Sequence, residues 1–96
     1  MNAKFNIEGL AEINGQLIHC KGAIAVLKID SEHNTVYASW QIFYAGGQIL
    51  AGRSATYHMG KSTFTEEELL SRILENIKKY RIGRDRIFSD VKLIGH

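Results

Sequence analysis

Residues 63–83 read TFTEEELLSRILENIKKYRIG, a stretch that carries its own start, face and stop. Thr65 is an N-cap residue whose hydroxyl accepts from a first-turn N–H. Glu68, three positions on, reaches back to the Thr65 N–H, which completes a capping box. Phe64 and Leu69 stand where a hydrophobic staple clamps the entering chain. Glu66, Glu67 and Glu68 set negative charge at the positive end of the helix dipole, and Lys78, Lys79 and Arg81 set positive charge at the other end. Gly83 supplies a left-handed stop. At about 100° per residue, Leu69, Leu70, Ile73, Leu74, Ile77 and Tyr80 share one arc, broad enough to cover a sheet. The opposite arc sets Glu68 before Arg72 and Glu75 before Lys79, the favourable i,i+4 order of a solvated face.

Outward from this helix, the rest of the chain reads as strands. Phe5 and Ile7 alternate with polar neighbours. Asn14-Gly15 then marks a tight hairpin, because both turn positions need positive φ. A second strand runs from about Gln16 through Asp30, and Ser31-Glu32-His33-Asn34 is a polar turn. Val36 to Tyr44 alternates cleanly, Gly46-Gly47 turns the chain, and Gln48 to Met59 runs back. The turns imply a register that places Ala23, Ala25, Leu27 and Ile29 on the helix side. Val36, Ala38, Trp40, Ile42 and Tyr44 join them, with Ile49, Ala51, Ala55 and Tyr57 opposite. That register needs one extra residue near Lys21-Gly22, so a bulge is expected there. Arg53 falls opposite Trp40 and, since an unpaired buried charge is too costly, belongs at the edge of the core. Ile87 to Ile94 reads as a last strand with Val91 and Leu93 on one face. The expected fold is α+β, a four-stranded antiparallel meander with one helix on one face and a C-terminal fifth strand, in the order ββββαβ.

Composition sets the outer limits. Ninety-six residues, 45% of them hydrophobic, suffice for one domain spanning 1–96 with a modest core. A net charge of +2 is too balanced to imply nucleic acid or an anionic membrane. The single cysteine, Cys20, excludes an internal disulfide framework and fits a reducing, cytoplasmic setting. The start MNAKFNIEG has no apolar core of a secretory signal, and no apolar run approaches the length of a membrane span.

Motifs with chemistry are few. Residues 55–62, ATYHMGKS, match the relaxed phosphate-loop pattern. A phosphate loop, however, follows a buried parallel strand and opens straight into a helix, whereas this segment leaves an antiparallel hairpin and meets its helix cap only at Thr65. His19, His33, His58 and His96 show no metal-ligand spacing, and Cys20 has no second cysteine, so no metal or cofactor is expected. Ser39 and Ser54 are cross-strand neighbours, but no base and nucleophile form a recognisable pair, so the chain reads as a non-enzyme. Two surfaces remain. Lys78, Lys79, Arg81, Arg84 and Arg86 form a basic run at the helix exit, a candidate contact for phosphates or an acidic protein surface. On the sheet face away from the helix the same register places Ile24, Val26, Tyr37, Phe43 and Leu50, an apolar cluster with a polar rim that suits a partner or a homodimer. The expectation is a small non-enzymatic interaction or regulatory protein that docks on a macromolecular partner; phage-encoded inhibitors of host defence complexes are one class of that build. Nucleic-acid binding through the basic run is the alternative, and a small enzyme with an unrecognised site is the third.

Overall fold

A computed structural model describes residues 3–61, 63–82, 85, 86, 88 and 90–94, with backbone only at 82, 85 and 86. The order is β1 (Ala3–Ile13), β2 (Gln16–Asp30), β3 (Thr35–Phe43), β4 (Ile49–His58), α1 (Glu66–Lys79), β5 (Arg81–Ile82), β6 (Asp85–Arg86) and β7 (Asp90–Leu93). Five strands form one antiparallel sheet in the order β4-β3-β2-β1-β7, with β4 and β7 at its edges. The expected ββββαβ architecture is therefore present. The paired segments β5 and β6 form a two-stranded ribbon where the sequence predicts the helix end and the loop after it.

The helix starts as its sequence dictates. Glu68 N–H donates to the Thr65 hydroxyl at 3.1 Å, and Thr65 N–H donates to the Glu68 carboxylate at 3.2 Å. The carboxylate also meets Lys61 Nζ at 2.6 Å, and not Arg72 as the i,i+4 spacing suggested. These contacts hold the Glu68 carboxyl below its usual range, the Lys61 ammonium first among the causes. The end differs from expectation. The helix closes at Lys79, with Tyr80 already extended at φ −71° and ψ 136°. The stop comes from packing: the Tyr80 ring meets Trp40 edge-to-face, centroids 5.0 Å apart. Gly83 lies outside the described residues.

The Asn14-Gly15 turn forms as read, with φ of 52° and 79°. From it β1 and β2 pair without interruption, Phe5 against Ile24 and Ile7 against Gly22. No bulge occurs at Lys21-Gly22. The extra residue is Leu27, inserted between Val26 (opposite Ala38) and Lys28 (opposite Tyr37). This single difference reverses the faces of half of β2. Ile24 and Val26, at 0% and 2% exposure, lie in the core beside Trp40 and Ala38. Ala23 and Ala25 turn to the open face, and Leu27 is 42% exposed. Packing accounts for the choice. Gly22 lies so close to β3 that a Cβ there would strike the Gln41 carbonyl, and the space above it is taken by Ile7. Ile24 and Val26 then bury more carbon at the sheet centre than two alanines could.

The β3–β4 register matches expectation from Val36↔Tyr57 to Ile42↔Ala51. Beyond it, Gly47 at φ 88° closes a longer turn and Leu50 bulges, so Tyr44 and Ile49 leave the core and are exposed. The core joins Leu69, Leu70, Ile73 and Ile77 of α1 to Ile7, Ile24, Val36, Trp40 and Ile42 of the sheet, with Phe88 and Val91 at the β7 end. Among the described residues, no helix is long and apolar enough to cross a membrane.

Candidate functional site

The apolar cluster expected on the open sheet face does not form. Ile24 and Val26 belong to the core, as above. Tyr37 is exposed and Phe43 half-buried away from the core, while Leu50, also half-buried, packs against it. Tyr37 and Phe43 stand at opposite ends of β3, about 20 Å apart at the rise of an antiparallel strand. Between them the face shows Ser39 and Gln41, flanked by Ala23 and Ala25 on β2 and by Gly52 and Ser54 on β4. Small and polar side chains offer no large anchor to a partner.

The edge strand β4 is different. Met59 N–H donates to the Asn34 carbonyl at 2.8 Å, continuing the β3–β4 ladder past Thr35↔His58. Hydrogen-bonded pairs alternate along an antiparallel ladder. Ala51, Arg53, Ala55 and Tyr57 therefore turn their backbone N–H and C=O groups to β3, while Gly52, Ser54, Thr56 and His58 turn theirs outward. Among the described residues β4 pairs with β3 alone, so these outward groups have no strand partner there. Edge strands are ordinarily shielded by shortness, proline, lysine or a bulge. β7 is short, at four residues. β4 is ten residues long, has no proline or lysine, and bulges only at Leu50 near its start.

Beside this edge runs a groove of about 840 Å³ between β4 and α1. Its floor is Ala55, Tyr57 and Met59, and its helix wall carries Glu67, Ser71, Arg72, Glu75, Asn76 and Lys79. The Tyr57 hydroxyl donates to Asn76 Oδ1 at 3.4 Å, a long bond that ties the wall to the floor. Burial pushes the Tyr57 phenol up, opposed by the charge of Arg53. Arg53 lies opposite Trp40 and is exposed at the groove mouth, the edge position that its charge requires. Among the described residues the buried Trp40 indole N–H has no hydrogen-bond partner, although it lies near the Tyr57 oxygen. The sequence reading missed this edge; the alternation of β4 together with its place in the strand order would have been needed to find it.

The basic run is only partly brought together. Lys78, Lys79 and Arg81 are exposed at the helix exit, and the β5–β6 ribbon sets Arg81 opposite Arg86 along the backbone. Arg84 lies outside the described residues, as does the side chain of Arg86.

The phosphate-loop match resolves into turn chemistry. Gly60 turns the chain at φ 77°, and Lys61, which would reach a phosphate, is held by Glu68. Ser62 lies outside the described residues. Asp30, Glu32 and His33 bring one ligand atom each within 4.8 Å of the others. That cluster is an Asx turn: Asp30 Oδ1 accepts from the Glu32 and His33 N–H groups, and Oδ2 meets His33 Nδ1 at 2.8 Å. The His33 contact is the main reason the Asp30 carboxyl lies below its usual range. His19 pairs with Glu8 at 3.3 Å, and His58 is the last residue of β4; His96 lies outside the described residues. Ser39 and Ser54 are neighbours across β3 and β4, as read. Comparison with protein-family models, with curated proteins and with solved structures gives no match.

Proposed function

We propose that this chain is a non-enzymatic interaction protein that docks on a macromolecular partner by adding a strand to β4. The observation that supports this reading is the row of outward backbone groups at Gly52, Ser54, Thr56 and His58 beside the β4–α1 groove. Strand addition draws affinity from main-chain hydrogen bonds and specificity from alternate side chains that enter a neighbouring pocket. A regulator or inhibitor that caps another protein's sheet is the mode of action this edge suits, and the buried free thiol of Cys20 suits a reducing, cytoplasmic setting. The test is affinity capture from the native host with three baits: the intact chain, Thr56→Pro, and Lys78→Ala with Lys79→Ala and Arg81→Ala. A partner held by the first and third but lost from the second is the expected result. Equal capture by Thr56→Pro refutes the edge.

A second reading keeps the basic helix exit as a polyanion contact, because the β5–β6 pairing brings Arg81 and Arg86 together beside Lys78 and Lys79. Its mark is a binding constant for DNA or RNA that falls steeply with salt. Affinity indifferent to salt, or to Lys79→Ala with Arg81→Ala, sinks it.

A further inference from the structure

The recess above Ala55, on the floor of the β4–α1 groove, is ringed by hydrogen-bond donors with too few acceptors among the described residues, and we infer that it binds a small carboxylate. The site is independent of the strand edge. Its ligand is a free anion, and strand addition holds or fails without it.

Side-chain size builds the recess. Arg53, Ala55 and Tyr57 share the groove side of β4, with Trp40 opposite Arg53 and Ala38 opposite Ala55 on β3. Two alanines in register leave a gap between larger neighbours. Across that gap the Trp40 ring reaches far enough for its indole N–H to lie near the Tyr57 oxygen. Ala55 is only half-buried, so the gap opens to the groove. Arg53 is exposed at the mouth, close enough for its charge to act on the Tyr57 phenol.

Three donors therefore converge: a guanidinium, an indole N–H and a phenol O–H. The first two can only donate. The acceptor they are offered is Asn76 Oδ1, 3.4 Å from the Tyr57 hydroxyl, a long reach for an O–H···O bond. Trp40 is 1% exposed, and its N–H has no partner among the described residues. A buried donor ordinarily finds an acceptor. A carboxylate supplies one. One of its oxygens takes the Tyr57 O–H in place of Asn76, and the other meets Arg53 in a charge-assisted bond. Turned toward the ligand, the Tyr57 hydroxyl offers a lone pair to the Trp40 N–H. A ligand that touches only the groove floor thus also satisfies the donor buried behind it.

The charge of the groove selects a monoanion. Arg53, Arg72 and Lys79 face Glu67 and Glu75, while Glu68 is matched by Lys61. One positive charge is left over, which suits a carboxylate and compensates a phosphate dianion poorly. At about 840 Å³ the groove also has room for a ring-sized substituent on the ligand.

Titration of the intact, isotope-labelled chain with sodium benzoate at fixed ionic strength tests the site. Trp40 is the single tryptophan, so its indole N–H gives one NMR signal. Benzoate should move that signal downfield in a saturable way, and benzamide, which lacks the charge, should not. Arg53→Gln changes an exposed residue and should weaken benzoate binding by about tenfold or more with the fold intact. Tyr57→Phe keeps the ring and removes the hydroxyl, so the indole signal should no longer respond. A signal without a saturable shift at about 100 mM benzoate overturns the inference. So does benzamide or inorganic phosphate that acts as strongly as benzoate, or a response that either substitution leaves unchanged.

Discussion

Deleting Leu27 tests the bulge on which the faces of β2 depend. The residue is the extra one between Val26 and Lys28, and its side chain is 42% exposed. Without it Val26 still faces the core, Lys28 still faces out, and Ile29 still lies opposite Val36. Every buried side chain keeps its place. The loss is the partial burial of one leucine, about 1 kcal/mol from the roughly 1.5–3 kcal/mol of full burial. The gain is a regular ladder, at about 0.5–1.5 kcal/mol for each hydrogen bond restored. The deletion should therefore stay within about 1 kcal/mol of the parent, the difference of those two terms.

Deleting Ala23, four positions earlier in the same strand, should behave otherwise. The chain can absorb that loss only by straightening the bulge, which turns Ala25 and Leu27 inward and Ile24 and Val26 outward. Leu27 can stand in for Val26. Ala25 in place of Ile24, however, takes about three carbons from the core, roughly 2 kcal/mol at ~0.8 per methylene. The void left beside Trp40 raises the cost to about 3 kcal/mol. Trp40 is the single tryptophan and is buried, so its fluorescence reports both unfolding transitions. With m near 1 kcal/mol/M in urea, the Leu27 deletion should move the midpoint by less than about 1 M and the Ala23 deletion should lower it by about 3 M. If the Leu27 deletion is as damaging as the Ala23 deletion, or if the order is reversed, the bulge is misplaced and the core assignment of Ile24 and Val26 fails with it.

Three further outcomes follow from the same contacts. Thr65→Ala removes the cap and should cost about 1 kcal/mol, seen in calorimetry as a Tm lower by roughly 4–8 °C; an unchanged Tm means the helix does not depend on its box. Gly9→Ala puts a Cβ into the Asp90 carbonyl and the Phe88 ring, so β7 should detach, with faster amide exchange at 90–93 and a loss of about 1–3 kcal/mol; unchanged protection there counts against the β1–β7 pairing. Acid should weaken the fold through Glu68 and Asp30, whose carboxyls both lie below their ordinary values of 4.5 and 3.8. A depressed folded pKa adds stability above the unfolded value that is lost as pH falls through the folded one. Tm should therefore drop as pH falls below about 4.5, and Lys61→Met should flatten that limb; a Lys61→Met profile parallel to the parent's shows that the ion pair does not shift Glu68.

Local signals were legible because they act over a few residues. Thr65 and Glu68 find each other within one helical turn, and Asn14-Gly15 admits only the tight turn it forms, so the helix start and two hairpins could be read from spacing alone. The wheel also named the helix core: Leu69, Leu70, Ile73 and Ile77 are buried as expected. The faces of β2 were not legible, because the strand is apolar on both sides from Ala23 to Leu27. Alternation then cannot choose between two registers, and no glycine marks the bulge at Leu27. What decides is tertiary: the close approach of Gly22 to β3 and the larger side chains at 24 and 26. The helix end was misjudged for a related reason. Gly83 is a sound local stop, but the Tyr80 ring meets Trp40 first.

The site was hidden behind that same ambiguity. With Ile24 and Val26 on the open face, the sheet would offer a partner an apolar plate. With both inside, that face is alanine, serine, glutamine and glycine at its centre, and the reason to look there disappears. The edge gains what the face loses, because its groups are directional. Outward amides and carbonyls accept only a strand, in one of two directions and a few registers, whereas a flat polar face accepts many surfaces weakly. The helix start contributes to the same place. Glu68 caps α1 and also holds Lys61 just past the end of β4, so one carboxylate ties the chain leaving β4 to the first turn of the groove wall. The capping box therefore does more than start a helix: its carboxylate links α1 to the chain leaving β4, the long strand that has no strand neighbour on its outer side among the described residues.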